Sequence, residues 1–512
     1  MSAVEGLTYG LSLAVQPELL LAALIGAIAG TIIGLLPGLG PTAGAAVLLP
    51  LTYTMSPTAA LVMIAAIYYA VMYGGSTSAV LLNIPGEAPS VVSSFEGYPM
   101  AKQGRAGPAL FIITAGSFLS GTVAVILVTF LTPMLSRVGL LFGPAEFFAI
   151  TLGGLLVLSR VMGGSWASGM IPMVLGLVLG TIGEEGVTGR YRFTYGILEL
   201  TRGLDLVAIA IGLFGITELL VLAKQKNATS MVGKIRVRDL LPTRDDLRRS
   251  IGPWLRGSPI GFFFGLLPGP SATLATFASY RVEKAVSKRK HLFGTGVVEG
   301  LAGPEAANNS AATSSVIPVL ALGIPFSATL ALMLSALVVH GVTPGPLLIE
   351  QHPEIFWGLI GSLYIGNVIL VILNVPLIGV WVSFLRTPYH LLIPIVTVLA
   401  FAGSFSARRS YVDLYAILAL GALGYLFRKI GYQLAPLLVG FILGPLMERN
   451  LREGLILSRG SISYLFTEAI AMWIWVLVLL TLMISGIGVA RTRRKKRRLS
   501  ASQVGLAPLD DD

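Results

Sequence analysis

Apolar stretches long enough to cross a bilayer recur along this chain, at 17–36, 57–74, 107–135, 139–159, 163–183, 203–223, 355–385, 389–407, 411–427, 432–447 and 466–489. A spanning helix needs about 20 such residues. The pattern therefore predicts an all-α polytopic membrane protein. Several stretches are short or contain Pro, which leaves the helix count open by a few. Only 12% of the residues are charged against 54% hydrophobic, and the mean hydropathy is +0.82.

Two apolar regions are interrupted in the same way. One interruption is Gly34-Leu35-Leu36-Pro37-Gly38-Leu39-Gly40-Pro41, and the other is Gly265-Leu266-Leu267-Pro268-Gly269-Pro270. Pro removes a backbone donor and Gly adds backbone freedom, so neither run continues as one regular helix. At membrane depth the freed backbone groups must be covered by protein, water or solute. A matched pair of such breaks in two halves points to a transporter's binding site, with Gly38, Gly40 and Gly269 as places where backbone approaches solute.

The halves match elsewhere too. Residues 152–160 (LGGLLVLSR) resemble 420–428 (LGALGYLFR), and 172–180 (PMVLGLVLG) resemble 436–444 (PLLVGFILG). Three matches in one order predict two membrane repeats, 17–223 and 257–489. An N-terminal segment 1–16 precedes them, a basic linker 224–256 joins them, and a basic tail 490–512 follows, with 499–512 read as disordered. Inverted repeats are the commoner arrangement for transporters with broken helices.

The net charge is +11, and 21 of the 36 lysines and arginines fall in 224–256, 281–290 and 491–498. Basic clusters flanking spans read as cytoplasmic loops that meet lipid head groups, not as a nucleic-acid surface. Both flanks of 257–280 are then cytoplasmic, which makes that segment a re-entrant hairpin; a single kinked span is the alternative. By analogy 17–53 forms the other hairpin. The first basic residue is Lys102, so the basic start of a cleavable signal peptide is missing. There is no Cys, and the four His are scattered, which removes disulfides, thiolate sites and zinc or haem spacings.

A cluster of small polar residues follows each break. The first holds Gly75, Ser76, Thr77 and Ser78, then Asn83-Ile84-Pro85-Gly86-Glu87. The second holds Glu305, Asn308, Asn309, Thr313 and Ser314, then Gly323-Ile324-Pro325. Hydroxyls, amide oxygens and unwound carbonyls suit Na⁺, which gives Ser76, Thr77, Asn83, Asn309 and Thr313 as candidate cation ligands. Helix amino-termini beside the breaks suit carboxylates. The competing reading of the Ser and Thr residues is ordinary helix packing. Glu87 and Glu305 are candidates for ion ligands or proton carriers, or equally for solvated loop carboxylates. No Lys or Arg occurs in 1–101 or in 291–385. A buried carboxylate substrate needs compensation, so bound cations and helix termini must supply it, which favours cation-coupled uptake over an anion pore.

Residues 34–41, 73–79 (YGGSTSA), 83–87 (NIPGE), 304–309 (PEAANN), 323–325 (GIP) and 344–346 (PGP) resemble the large membrane subunit of the tripartite tricarboxylate transporters, over about 17–490. The resemblance implies a non-enzymatic permease of the bacterial inner membrane. It implies uptake of citrate or related carboxylates with Na⁺ or H⁺ as coupling ion and no other cofactor. It also implies two partners, a small membrane subunit and a periplasmic binding protein. Arg190–Gly196 resembles a further family segment; the family often has an Asp a little before it, and this chain departs from that pattern, with Glu184 and Glu185 nearby. The rival classes are a channel without strict coupling and a membrane-embedded enzyme. Against the enzyme, the spans show no paired Asp motif, His-rich set or Ser/Lys dyad.

Overall fold

The computed structural model describes residues 2–36, 40–162, 166–185, 189–224, 237–384 and 389–483. Gly38, part of the basic linker and the basic tail lie outside the described residues. The principal helices of the first half are α1 (Ala3–Ala14), α2 (Pro17–Leu35), α3 (Gly40–Leu48), α4 (Pro57–Leu82), α5 (Val91–Met100), α6 (Ala106–Gly139), α7 (Pro144–Met162), α8 (Trp166–Leu179) and α9 (Leu206–Leu222). Those of the second are α10 (Arg244–Gly265), α11 (Ser271–Val286), α12 (Val298–Ser314), α13 (Val316–Leu322), α14 (Ala328–Val339), α15 (Pro353–Asn374), α16 (Tyr389–Arg408), α17 (Tyr411–Lys429), α18 (Ala435–Leu457) and α19 (Ala469–Met483). Among the described residues, the only strands are the two-residue pair Gly183–Glu184 and Tyr191–Arg192. The chain is thus an all-α polytopic membrane protein.

Each half is built on a pair of helices held together by glycines. A Cβ on Gly26, Gly30 or Gly34 of α2 would strike the carbonyls of Met63, Ile67 and Val71 on α4. A Cβ on Gly257, Gly261 or Gly265 of α10 would strike those of Gly303, Ala307 and Ala311 on α12. Glycine every fourth residue forms a smooth stripe that lets backbones touch, the usual device where lipid supplies no hydrophobic drive. The order of contacts makes α2 parallel to α4, and α10 parallel to α12.

Both interrupted segments turn back as hairpins. In the second, Arg256 near the base of α10 pairs with Glu283 of α11 at 2.6 Å. Ala272 and Ala275 then pack against Ala307 and Ala311 of α12, while Ser279 and Glu283 lie against Gly303. That order makes α11 antiparallel to α12 and brings the basic stretches around 244–256 and 281–290 to one face. In the first hairpin, Gly44 of α3 comes back against Ile33 of α2.

The second elements break alike. Asn83 ends α4 at φ 57°, and Gly323 ends α13 at φ 70°, both left-handed caps followed by Ile-Pro. Each cap lies equally far beyond the carbonyl that meets the third glycine, Val71 or Ala311. Yet α4 and α12 run in opposite directions. Ser76 meets Glu305, and farther down α4 the Tyr69 and Tyr73 side chains share a cavity with Asn309 and Thr313. The broken helices are therefore inverted with respect to each other.

The outer segments obey a different relation. Gly176 of α8 abuts Leu437 of α18 and Gly180, just past the end of α8, abuts Phe441, while Gly440 of α18 abuts Met173 of α8. These contacts are reciprocal between matched positions, and the two helices run the same way. Gly153 of α7 meets Val478 of α19, while its counterpart Gly421 of α17 meets Ile216 of α9. The ordered sequence matches thus combine an inverted core with a parallel outer pair.

Candidate functional site

The site forms where α4 and α12 cross. Every residue of α12 except Glu299 is buried, although the helix carries Glu305, Asn308, Asn309 and four Ser or Thr residues, Ser310, Thr313, Ser314 and, just beyond its end, Ser315. A polar helix stays buried only if its groups find partners.

Glu305 finds them. It is 0% exposed. Its Oε2 accepts from Ser76 Oγ at 2.7 Å and from Ser93 Oγ at 2.8 Å. Its Oε1 accepts from Ser117 Oγ at 3.1 Å and from Asn309 Nδ2 at 3.1 Å. Asn309 Nδ2 also reaches Ser117 Oγ at 2.6 Å. Four donors from α4, α5, α6 and α12 fill the acceptor capacity of one carboxylate. Glu305 is therefore a four-helix junction, not a solvated loop residue.

Glu87 finds none. It lies in the turn after the α4 break, 9% exposed, and neither carboxylate oxygen has a hydrogen-bond partner. Its backbone is held in a turn in which Ser90 Oγ donates to Glu87 O at 2.8 Å. Its Cγ presses on Gly75, and the adjoining Gly86 packs between Gly34 of α2 and Gly75 of α4. The side chain thus sits where the first hairpin, α4 and the break meet. Asn308 is 0% exposed and faces Glu87, but neither of its side-chain atoms is aligned in a hydrogen bond. Glu305 and Tyr68 complete the polar surroundings of Glu87.

The other candidates separate into groups. Thr313 donates to Asn309 O and, with Asn309, lines a small cavity beside Tyr69, Tyr73, Gly121 and Asn367. Ser314 Oγ bonds Ala311 O and packs on Gly265. Thr77 and Ser78 bond carbonyls of their own helix, Tyr73 O and Gly75 O, which is the packing role of membrane hydroxyls. Asn83 is an exposed helix cap, away from Glu305. Gly40 opens α3 at φ 61° and Gly269 turns the second hairpin at φ 123°, both requiring glycine, but neither touches the carboxylate cluster. The clusters lie within helices, not on unwound backbone. Aligned on the caps, Ser76 corresponds to Val316 and Asn309 to Tyr69, so the clusters sit two turns apart in their own helices. Only the antiparallel crossing brings them together.

Sequence reasoning missed Ser93, Ser117 and Asn367. Asn367 of α15 accepts from Tyr73 Oη at 3.2 Å and donates to Phe118 O and Thr122 Oγ1, both at 2.9 Å. Asn367 is an isolated amide in an apolar helix, a weak signal without its partner, whereas Ser93 stands beside Ser94 and Ser117 among Thr114, Ser120 and Thr122, so nothing local singled them out. Arg192 lies elsewhere: it bridges to Glu448 of α18 at 3.1 Å, and Arg452 joins the same carboxylate at 2.9 Å.

The sequence profile described as the Tripartite tricarboxylate transporter TctA family matches residues 20–439. A protein of Agrobacterium vitis described as an uncharacterized 52.8 kDa protein in the TAR-I ttuC' 3' region is 47% identical over 430 residues, 84% of this chain and 86% of the relative. A second from the same organism, described as uncharacterized in the TAR-II ttuC' 3' region, is 49% identical over 211 residues, 41% of this chain and 87% of its own length. No solved structure matches.

Proposed function

This chain belongs to the tripartite tricarboxylate transporter TctA family, and on that premise we propose that it is the large membrane subunit of a cation-coupled uptake system for citrate or related carboxylates. The observation that carries this reading is the crossing of two inverted, broken helices around a fully buried polar cluster, with a hairpin packed on each. Inverted broken helices let one site face either side by rocking or sliding of packed elements. A channel, the alternative, needs no such buried cluster at a closed crossing.

The coupling ion, Na⁺ or H⁺, compensates the substrate's negative charge where α4, α12 and α14 carry no Lys or Arg. Cation and carboxylate then stabilise each other's binding, a positive linkage. The basic face at 244–256 and 281–290 is cytoplasmic, and the chain sits in the bacterial inner membrane. Its partners are a small membrane subunit and a periplasmic binding protein that delivers substrate. The two units we assign are 17–223 and 257–489, inverted at their broken-helix core and parallel at their outer pair.

The test is uptake of labelled citrate and other di- and tricarboxylates into vesicles that carry this chain, a small membrane subunit, a binding protein, and an imposed Na⁺ or pH gradient. Accumulation above equilibrium that stops when any component or the gradient is withheld is the expected result. Passive equilibration through this chain alone would instead establish the channel.

A further inference from the structure

Two carboxylates lie within electrostatic reach of each other in the buried crossing, and they differ in one respect. Glu305 has four donors on its two oxygens, whereas Glu87 has none. The amide facing Glu87, Asn308, is also unpaired at both Oδ1 and Nδ2. Four buried polar atoms without partners, on two adjacent side chains, are rare in a folded interior and call for a ligand.

The hydrogen-bond inventory identifies that ligand. An ionised Glu87 offers only acceptors. Asn308 Nδ2 satisfies one of them, leaving the second carboxylate oxygen opposed to Asn308 Oδ1, acceptor against acceptor. A Na⁺ between oxygens would satisfy those but leave the Nδ2 donors bare. One proton satisfies the ring: the acid O–H donates to Asn308 Oδ1, and Asn308 Nδ2 donates to the acid carbonyl. The acid form also removes the repulsion between Glu87 and the filled Glu305 carboxylate across a low-dielectric interior. The remaining titratable neighbour is Tyr68 of α4.

We propose that Glu87 is the proton-carrying residue of this protein, with Asn308 as the amide that closes a two-bond pair on its neutral form. The proposal rests on the transporter reading above and names its coupling ion. Proton uptake converts the carboxylate to the acid with no other bond change, and release returns the proton to water. The position gives the proton leverage. Glu87 adjoins Gly86, which is wedged between Gly34 and Gly75. Ionisation breaks the pair with Asn308 and places an uncompensated charge at the junction of hairpin, α4 and break, which drives these elements to a position where water reaches the group.

The experiment is infrared difference spectroscopy of the purified full chain in lipid nanodiscs while pH is varied, with ²H₂O exchange to mark exchangeable acids. The expected result is a neutral-carboxyl carbonyl band that titrates in the wild type and is lost in Glu87→Gln. In Asn308→Ala the band should persist but shift in frequency, because its hydrogen-bond partner is gone. Glu87→Gln can make the same two bonds with its amide, so it should fold; Asn308→Ala gives an independent reading. A titrating band that is unchanged in Glu87→Gln would overturn the proposal. So would Na⁺-dependent thermal stabilisation of the wild type that Glu87→Gln abolishes without any carboxyl band. In the vesicle assay, Glu87→Gln should lose accumulation driven by a pH gradient. The band and its loss can hold even if no carboxylate is transported, in which case the transporter reading alone fails.

Discussion

The serine cradle around Glu305 and the glycine junction around Glu87 present the same chemical group in opposite states. The cradle is assembled by four helices, each contributing one donor to a carboxylate that is nowhere exposed. The junction supplies close backbone packing and an amide, but no aligned donor. The difference shows how one interior can hold a permanent joint and a labile group side by side. Satisfied buried groups stiffen a core, and unsatisfied ones make a conformation conditional on what binds.

Glu305→Ala attacks the cradle and should have the largest effect. It strands three serine hydroxyls and the Asn309 amide, and should cost about 3 kcal/mol or more, since a hydrogen bond to a charged group is worth about 1.5–3 kcal/mol. Thermal or denaturant unfolding in a fixed detergent measures it. Glu87→Gln under the same conditions should be neutral or stabilising, because the amide pair with Asn308 forms without a proton. Equal losses at both positions would erase the contrast.

Ser117→Ala sharpens the comparison with a smaller step. Ser117 donates to Glu305 and accepts from Asn309, so its loss should cost about 1–2 kcal/mol. Thr77→Ala, which removes only a bond to its own helix, should change stability by less.

A pH-dependent effect is expected at Asp205, the residue that caps α9 from just outside the helix. Its carboxyl is pushed up to about 6, first by burial, with Asp413 adding to the rise and Arg408, at 3.7 Å, opposing it. The folded state therefore holds this proton more tightly than the unfolded chain. The stabilisation is complete below the unfolded value near 3.8 and is lost as pH rises to about 6. Asp205→Asn should flatten the stability profile in that window by at most roughly 3 kcal/mol, about 1.4 kcal/mol per pH unit, as unfolding measured across pH would register.

Much of this was legible in the sequence. Apolar length predicted the polytopic helical class because crossing a bilayer requires about 20 apolar residues whatever the tertiary context. Pro and Gly located the breaks because their backbone restrictions are local, and the basic clusters predicted that the second break is a hairpin. The stretch 298–339 was not legible as membrane helix. Its Glu, Asn, Ser and Thr lower its hydropathy, and its burial depends on partners that the sequence places far away. Three ordered matches were read as one duplication, whereas directions of packing assign them to an inverted core and a parallel outer pair.

What the sequence determined by itself is therefore what short-range chemistry fixes: class, breaks, capping residues and the polar residues available to a site. Which of those residues meet was decided by the antiparallel crossing of α4 and α12. That crossing brought Ser76 to Glu305, left Asn83 at an exposed cap and turned Thr77 and Ser78 onto their own helix. Hydrogen bonds between residues more than two hundred positions apart depend on the direction and rotation of whole helices. Those are set by the glycine stripes that let the helices touch, and no local pattern encodes them.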